Sequence, residues 1–477
     1  MENKHNEYES PLATRYASKA MRELFSPQRK FATWRRLWLA LAEAQKALGL
    51  DISDTQIEQM AEHLYDIDFQ SVARYEKQFK HDVMAHIHAF GDVAPLAKPI
   101  IHLGATSQFV VDNADLILMR EALEILIGYL ANIIDVMGQL AVKWRNLPCL
   151  AYTHFQPAQL TTFGKRITLW CCDFVMDLRE LERRLENLEF RSTRGATGTE
   201  DSFLALFNGD HDKVRRLREM VAEKMGFKRI CPVTGQTYSR KIDAQVLLAV
   251  GSIGTSVHKF CNDIRLLAGL KEVAEPFEPQ QVGSSAMPYK RNPMRCERAT
   301  ALARFLMDIS VSSLHTAAEQ WLERTLDDSA HRRLVIPETF LAADGMLRIV
   351  LNVIRGLRVN ENVIAKRVKQ ELPFIATERI LMQAVKAGGD RQELHERLRK
   401  HALEASEKII AGGGENDLID RIKADTALAG IDFENILEPS TFIGMAPQQV
   451  DEFISTCVEP VRRKYAHKLG ASVELEV

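Results

Sequence analysis

Ten apolar residues, Leu116, Met119, Leu123, Leu126, Leu130, Ile133, Met137, Leu140, Trp144 and Leu147, follow one another at spacings that alternate strictly between three and four. That spacing is a heptad seam, the apolar stripe of a helix made to lie against other helices. No proline falls between Pro99 and Pro148 to break it. A helix from about Asp112 to Leu147 would be about 50 Å long at about 1.5 Å per residue, well beyond the usual globular helix. Such a rod needs neighbours.

The same logic extends along the chain, because a proline inside a helix removes a hydrogen bond and pushes its predecessor toward extended geometry. The sixteen prolines leave further open windows between Pro157 and Pro232, Pro232 and Pro276, Pro293 and Pro337, and Pro337 and Pro373. Leu178, Leu181, Leu185 and Leu188 repeat the seam spacing. Residues 246–270 interleave apolar residues with Ala249, Gly251, Ser252, Gly254 and Ser256, small enough for helices to approach closely. There is no internal repeat, low-complexity tract or useful strand alternation, so the expectation is an all-α chain. It divides into a mixed helical region (1–108), a long-rod region (109–359) and a region of shorter helices (360–477). Gly412, Gly413 and Gly414 lack a following Gly-Lys-Ser/Thr and read as a turn, not a phosphate cradle.

Seams alone also describe a structural coiled coil with no chemistry. Charge excludes some partners: 62 Lys and Arg against 64 Asp and Glu give a net charge of -2, so no global field favours nucleic acid or an acidic membrane, and any anion site must be local. The seven cysteines form no C-x-x-C pair, and the first residues are polar with no apolar leader core. Nor is there an uninterrupted apolar run of bilayer-spanning length. The expected location is the cytoplasm.

Four polar clusters lie between or at the ends of the rods. The first, KHDVMAHIH at 80–88, crowds His81, His86 and His88 together, but His81 and His86 are five apart, on different helix faces, and no Cys or carboxylate set completes a metal shell. The second, Gly104-Ala105-Thr106-Ser107, precedes the longest rod, where hydroxyls and free N–H groups suit a carboxylate or phosphate. Asp112 and Asn113 could cap the rod and leave those hydroxyls to a ligand; plain capping by Thr106 or Ser107 is the other possibility. The third places His154 between a hydroxyl and an amide in THFQPAQ, where, taken alone, a purely structural histidine is the favoured reading. The fourth is GSSAMPYKRNP at 283–293, followed by MRCER.

That fourth string closely resembles the signature loop of the fumarase/aspartase superfamily, whose members release fumarate from a succinyl-bearing substrate. GATSQFVVDNAD at 104–115 and THFQPAQLTTFGKR at 153–166 stand in the expected order between long helices. SPLATRYAS, KHDVMAH, TGQTYSRK, ERTLDDSAHRR and QELPFIATE extend the likeness over essentially the whole chain, toward the animal-type branch that acts on succinylated purine-pathway nucleotides. The resemblance implies three helical domains, with the middle one contributing to a twenty-helix core in a homotetramer whose sites lie at junctions of three subunits. It implies no metal and no cofactor.

The implied reaction breaks a C–N bond and needs a base at carbon, an acid at nitrogen, and donors where carboxylate charge grows. By resemblance Ser284 is the base and His154 the acid. Lys290 and Asn292 surround the serine, and Glu297 is the partner that sets the tautomer of His154; a surface salt bridge is the bland alternative for Glu297. Arg15, Tyr16, Arg324, Ser329 and Arg333 match nucleotide-binding positions, and arginine suits bidentate phosphate contact. Lys80, His81, Asp82, Thr106, Ser107, Gln236 and Arg298 complete the substrate envelope. Without the resemblance, most of these arginines read as solvated helix-face charges. Two alternatives remain: a sister fumarate-releasing enzyme acting on argininosuccinate, and a lyase recruited as a crystallin-like structural protein.

Overall fold

The structure is a computed structural model, and it describes residues 6–475 except 279, 284, 429 and 430, with the side chains of 434 and 435 also left aside. Helices α1 (Pro27–Ala47) and α2 (Asp82–Val93) lead into the rod α3 (Gln108–Lys143). A hairpin of β1 (Pro148–Thr153) and β2 (Gln156–Thr162) turns the chain back into α4 (Phe163–Glu186). Three more long helices follow: α5 (Lys241–Gly269), α6 (Met294–Ala318) and α7 (Asp328–Arg355), then α8 (Glu361–Ile375) and shorter segments.

The rod begins at Gln108, four residues before the expected start, so its 36 residues span about 54 Å at about 1.5 Å each. Every seam residue from Leu116 to Met137 is buried to 1% exposure or less. The covering elements are α4, α7 and α1 of the same chain. By length and composition α3 could cross a bilayer, with mean hydropathy of 1.7 over its most apolar window, but 56% of that window is buried inside the protein. It is a core helix. The small residues on α5 act as expected: a Cβ on Gly251 would collide with Ser310, and one on Gly254 would come within 2.9 Å of Met307, so α5 and α6 pack at close range.

Two features depart from the sequence expectation. Pro337 does not bound a helix but lies inside α7. Lacking an N–H, it leaves the carbonyl of Arg333, one turn back, without its helical partner. The hairpin β1–β2, together with a two-residue pairing of Val273–Ala274 with Arg358–Val359, interrupts a mainly helical chain. Its turn is made by His154 and Phe155, both at positive φ (53° and 59°), the conformation a tight hairpin turn needs and which Asn-Gly more commonly supplies. With Pro148 and Pro157 in its strands and a register shift between Leu150 and Tyr152, it carries no clean alternation to read.

A second apolar cluster, from Ala376 to Ile436, packs separately from the main core. The chain then returns to the rod: Val458 packs at Gly138, Arg462 pairs with Asp135 at 2.6 Å, and Asn132 donates to the carbonyl of Lys468 at 2.8 Å. Gly413 (φ 60°) ends the helix Arg391–Gly412 in the left-handed conformation, so the glycine run is a helix stop.

Candidate functional site

At one end of the bundle, the starts of α2, α3 and α7 converge. Lys80 (φ 54°) closes the helix Phe69–Phe79 in the left-handed region, and His81 caps α2, its Nδ1 accepting from the N–H of Met84 at 3.4 Å. With Nδ1 accepting, the neutral ring carries its proton on Nε2, facing Ser107 Oγ at 3.3 Å. Ser107 stands at the N-cap of α3 without a side-chain capping bond, so its hydroxyl is turned to the histidine; Thr106 precedes it. Asp82 accepts from Arg333 at 2.7 Å. The first turn of α2 is thus tied to α7.

Asp112 and Asn113 do not cap the rod. Because the helix starts earlier, both are fully buried one turn inside it. Asn113 holds the backbone of Ser192, and Asp112 accepts from the N–H of Tyr238 at 3.0 Å and from Arg240 at 2.9 Å. Burial would raise the Asp112 carboxyl, but Arg240, Arg332 and Arg191 around it outweigh that and hold its pKa below the ordinary value. Arg240 also donates to Asp328 at 2.6 Å, and Asp328 in turn accepts from Arg324 at 2.8 Å. The Gln108 amide spans the same groups, donating to Asp112 at 3.0 Å and accepting from Arg324 at 3.2 Å. Arg324 is therefore gripped from behind on two nitrogens. Removing one member of such a buried charge network costs about 3–5 kcal/mol, since the remaining charge is stranded.

The cavity in front of this network, about 110 Å³, is lined by Lys30, Gln108, Arg324, Ser329 and Arg333 among others. Gln236 lies alongside: its N–H donates to the carbonyl of Glu323, next to Arg324, and its side chain to Ala196 at 3.1 Å. Arg15 and Tyr16 end a short helical turn packed on α7 roughly three turns beyond Arg333. The carbonyl of Tyr16 accepts from Arg348 at 2.7 Å, and a Cβ on Gly345 would strike Tyr16, so glycine is required for that approach. Arg15 is exposed.

The remaining candidates lie elsewhere. His154, exposed at the hairpin tip, makes no hydrogen bond or ion pair among the described residues. The hairpin itself is anchored: Tyr152 donates to the buried Glu272 at 3.0 Å, which also accepts from Arg367 on α8 at 3.0 Å. Ser284 falls outside the described residues. The loop that carries it is pinched at its neck, where the Asn292 amide donates to the carbonyl of Gly283 at 3.1 Å and the carbonyl of Lys290 packs against the Cα of Gly283. The Lys290 side chain is exposed. Glu297 sits 4.0 Å from Arg265, and no bond joins it to His154 within the chain. Arg298, one residue on, lines a separate cavity with Glu278, Gln281 and the C-terminal Val473–Leu475 stretch.

Rod lengths then decide what one chain can assemble. Ser107 precedes α3 and His154 follows it, separated by about 54 Å of helix; the chain from Lys143 to His154 can recover no more than about 36 Å of that. Likewise the 25 residues of α6, about 37 Å, divide Lys290 and Asn292 from Arg324, Ser329 and Arg333, and Glu297 and Arg298 stand in its first two turns, at the far end from those three. The structure brings together Lys80, His81, Asp82, Thr106, Ser107, Gln236, Arg324, Ser329 and Arg333, and keeps His154 and the signature loop away from them. Lys30, Gln108, Asp328 and Arg332 belong to this end of the bundle without having been singled out from the sequence. Gln108, Asp328 and Arg332 stand inside quoted motifs and signal themselves only by position; Lys30, on an amphipathic helix, gives no signal.

A bundle of five long helices with polar clusters at both ends is the architecture of the fumarase/aspartase superfamily. The family model described as Lyase matches residues 19–307, and that described as Adenylosuccinate lyase C-terminus matches 373–453. The chain is 52% identical to the adenylosuccinate lyase of Saccharomyces cerevisiae, over 94% of each chain. It is 49% identical to that of Schistosoma mansoni, over 99% of each. Among solved structures, 3-carboxy-cis,cis-muconate lactonizing enzyme from Pseudomonas putida is similar with a TM-score of 0.81 at 21% identity, covering 95% of this chain and 99% of that one. Fumarate lyase from Mesorhizobium is similar at 0.78 and 22%, covering 93% and 99%. These last two show the fold. The chain belongs to the adenylosuccinate lyase family.

Proposed function

We propose that this protein is an adenylosuccinate lyase, eliminating fumarate from adenylosuccinate to give AMP, and from succinylaminoimidazole carboxamide ribotide to give the carboxamide ribotide. The observation that carries this is the identity of 49–52% to adenylosuccinate lyases over nearly the whole chain. The cationic cavity at Arg324, Ser329 and Arg333 supports it independently, since a nucleotide brings a phosphate that the protein's net charge of -2 does not otherwise attract.

In this reading Ser284 takes the proton from the carbon beta to the departing nitrogen, charge collects on the neighbouring carboxylate, and the C–N bond breaks as His154 gives its proton to nitrogen. A serine base is demanding: the hydroxyl must lose its proton in a site that excludes water and offers donors and positive charge. The pinched neck of the loop ties Lys290 and Asn292 to Gly283, the residue before Ser284, and in this reading the same two groups face the growing carboxylate charge. Glu297 orients His154 across a subunit boundary. Arg15, Tyr16, Arg324, Ser329 and Arg333 hold the nucleotide, with Lys80, His81, Asp82, Thr106, Ser107, Gln236 and Arg298 around the succinyl and base portions.

Because the two ends of the bundle lie too far apart to share a site in one chain, each site draws on several chains of a homotetramer. Exposed apolar residues on the outer faces of the rods support that assembly: Leu169 and Met176 on α4, and Phe305, Val311 and Leu314 on α6. Seven free thiols fit a cytoplasmic enzyme.

The test is absorbance and fumarate release during separate incubations with adenylosuccinate and argininosuccinate. Turnover of the first alone is expected; turnover of argininosuccinate, or of neither, overturns the proposal.

A further inference from the structure

The cavity at the head of α7 has room for a phosphate group with a little water and none for a nucleoside, at about 110 Å³. Its lining carries four cations, Lys30, Arg324, Arg332 and Arg333, against two carboxylates, Asp115 and Asp328. Each arginine has a carboxylate: Arg324 pairs with Asp328 at 2.8 Å, Arg332 with Asp115 at 3.0 Å, and Arg333 with Asp82 at 2.7 Å. Lys30 has none within ion-pair distance among the described residues. Its ammonium stands 5.7 Å over the ring of Trp34, one turn along α1, and the side chain is half-buried. Asp115 shares the cavity but is ion-paired with Arg332, so the half-buried Lys30 ammonium, which has no ion pair of its own among the described residues, is arranged for an anion that arrives from solution.

We propose that Lys30 is a phosphate-binding residue, supplying the uncompensated positive charge that receives the phosphate dianion of the nucleotide. This rests on the reading of the cavity as the nucleotide's phosphate end. The paired arginines fix direction through their forked donors while their own charge is largely balanced; Lys30 contributes net charge. Its contribution therefore belongs to binding, remote from the bond that breaks, and falls mainly on KM.

The experiment compares Lys30→Met, Lys30→Arg and Arg333→Met on two substrates, adenylosuccinate and its phosphate-free nucleoside, following fumarate. Lys30→Met is expected to lower kcat/KM for the nucleotide by about tenfold or more, mostly through KM, and to leave the nucleoside unchanged. Lys30→Arg should recover most of the loss. Activity on the nucleoside reports that the variant is folded. Equal losses on both substrates, or unchanged nucleotide kinetics, overturn the assignment of Lys30. Should Arg333→Met separate the two substrates while Lys30→Met does not, only Lys30 is wrong; should neither separate them, the phosphate reading of the cavity falls as well.

Discussion

His86 stacks on Phe31 with ring centroids 3.8 Å apart, and His102 accepts a hydrogen bond from the Trp38 indole at 2.8 Å. Burial, reinforced by Arg35, lowers the pKa of His86 to about 4; burial, reinforced by His81, does the same for His102. Both rings are neutral in the folded chain, whereas in the unfolded chain they protonate near 6.5. The unfolded state therefore binds more protons between pH 6.5 and 4, and stability falls as pH drops through that window, by about 1.4 kcal/mol per group per pH unit. Between pH 7 and 5.5 the two histidines together remove about 2–3 kcal/mol of unfolding free energy, against which buried Asp177 and Asp344, raised to about 6 by burial, work in the opposite sense. Unfolding free energies from denaturant titrations at the two pH values should therefore show a loss on acidification that is about 1 kcal/mol smaller in His86→Phe than in the parent. The same pH dependence in both proteins contradicts the assignment. The crowding of His81, His86 and His88 was visible in the sequence, as was the absence of a metal spacing. Their three separate destinations were not: His81 turns to Ser107, His86 to Phe31, and His88 to Phe79 with centroids 4.7 Å apart. Asp112 was misread for the same reason. A carboxylate just inside an apolar seam looks like a cap until the arginines that bury it, 79 to 220 positions away in the chain, are brought into place.

Among the elements, the rods were legible because a seam is local information: spacing along one helix reports a face, and small residues on α5 report a close neighbour. The hairpin and the helical Pro337 were not, since each depends on tertiary support that overrides local preference. Tyr152 is held by Glu272 and Arg367 from distant segments, which pins a hairpin whose turn residues, His154 and Phe155, would not choose that conformation alone. Positive φ at a candidate acid places its ring outward at the tip, where another chain can reach it. The signature loop owes its closure to Gly283, at the point where the Lys290 carbonyl leaves no room for a Cβ. Gly283→Ala should open the neck and break the contacts of Lys290 and Asn292 with residue 283. Expected is a fall in kcat of about a hundredfold or more with the melting temperature within a few degrees of the parent. A normal kcat would show that the neck is not needed for catalysis.

For the whole molecule, sequence spacing announced helices that need partners but not whose helices those would be. The seam from Leu116 to Met137 is filled by the chain's own α1, α4 and α7, and the exposed apolar residues left over lie on α4 and α6. What fixes the assembly is length. Rods of about 54 and 37 Å put the candidate acid and the signature loop out of reach of the proposed phosphate cavity in the same chain, and the fold is shared with a muconate-lactonizing enzyme, so under the proposed function the chemistry resides in which side chains an assembly of chains brings together. The central claim is then that active sites are built between chains. Its most direct test is to co-refold differently tagged Ser284→Ala and His154→Ala chains, each inactive alone, and to assay the mixed oligomers that retain both tags. Sites that draw the two groups from different chains should recover up to about a quarter of wild-type activity, the fraction receiving both intact residues by chance. Mixed oligomers no more active than the separate variants would contradict it.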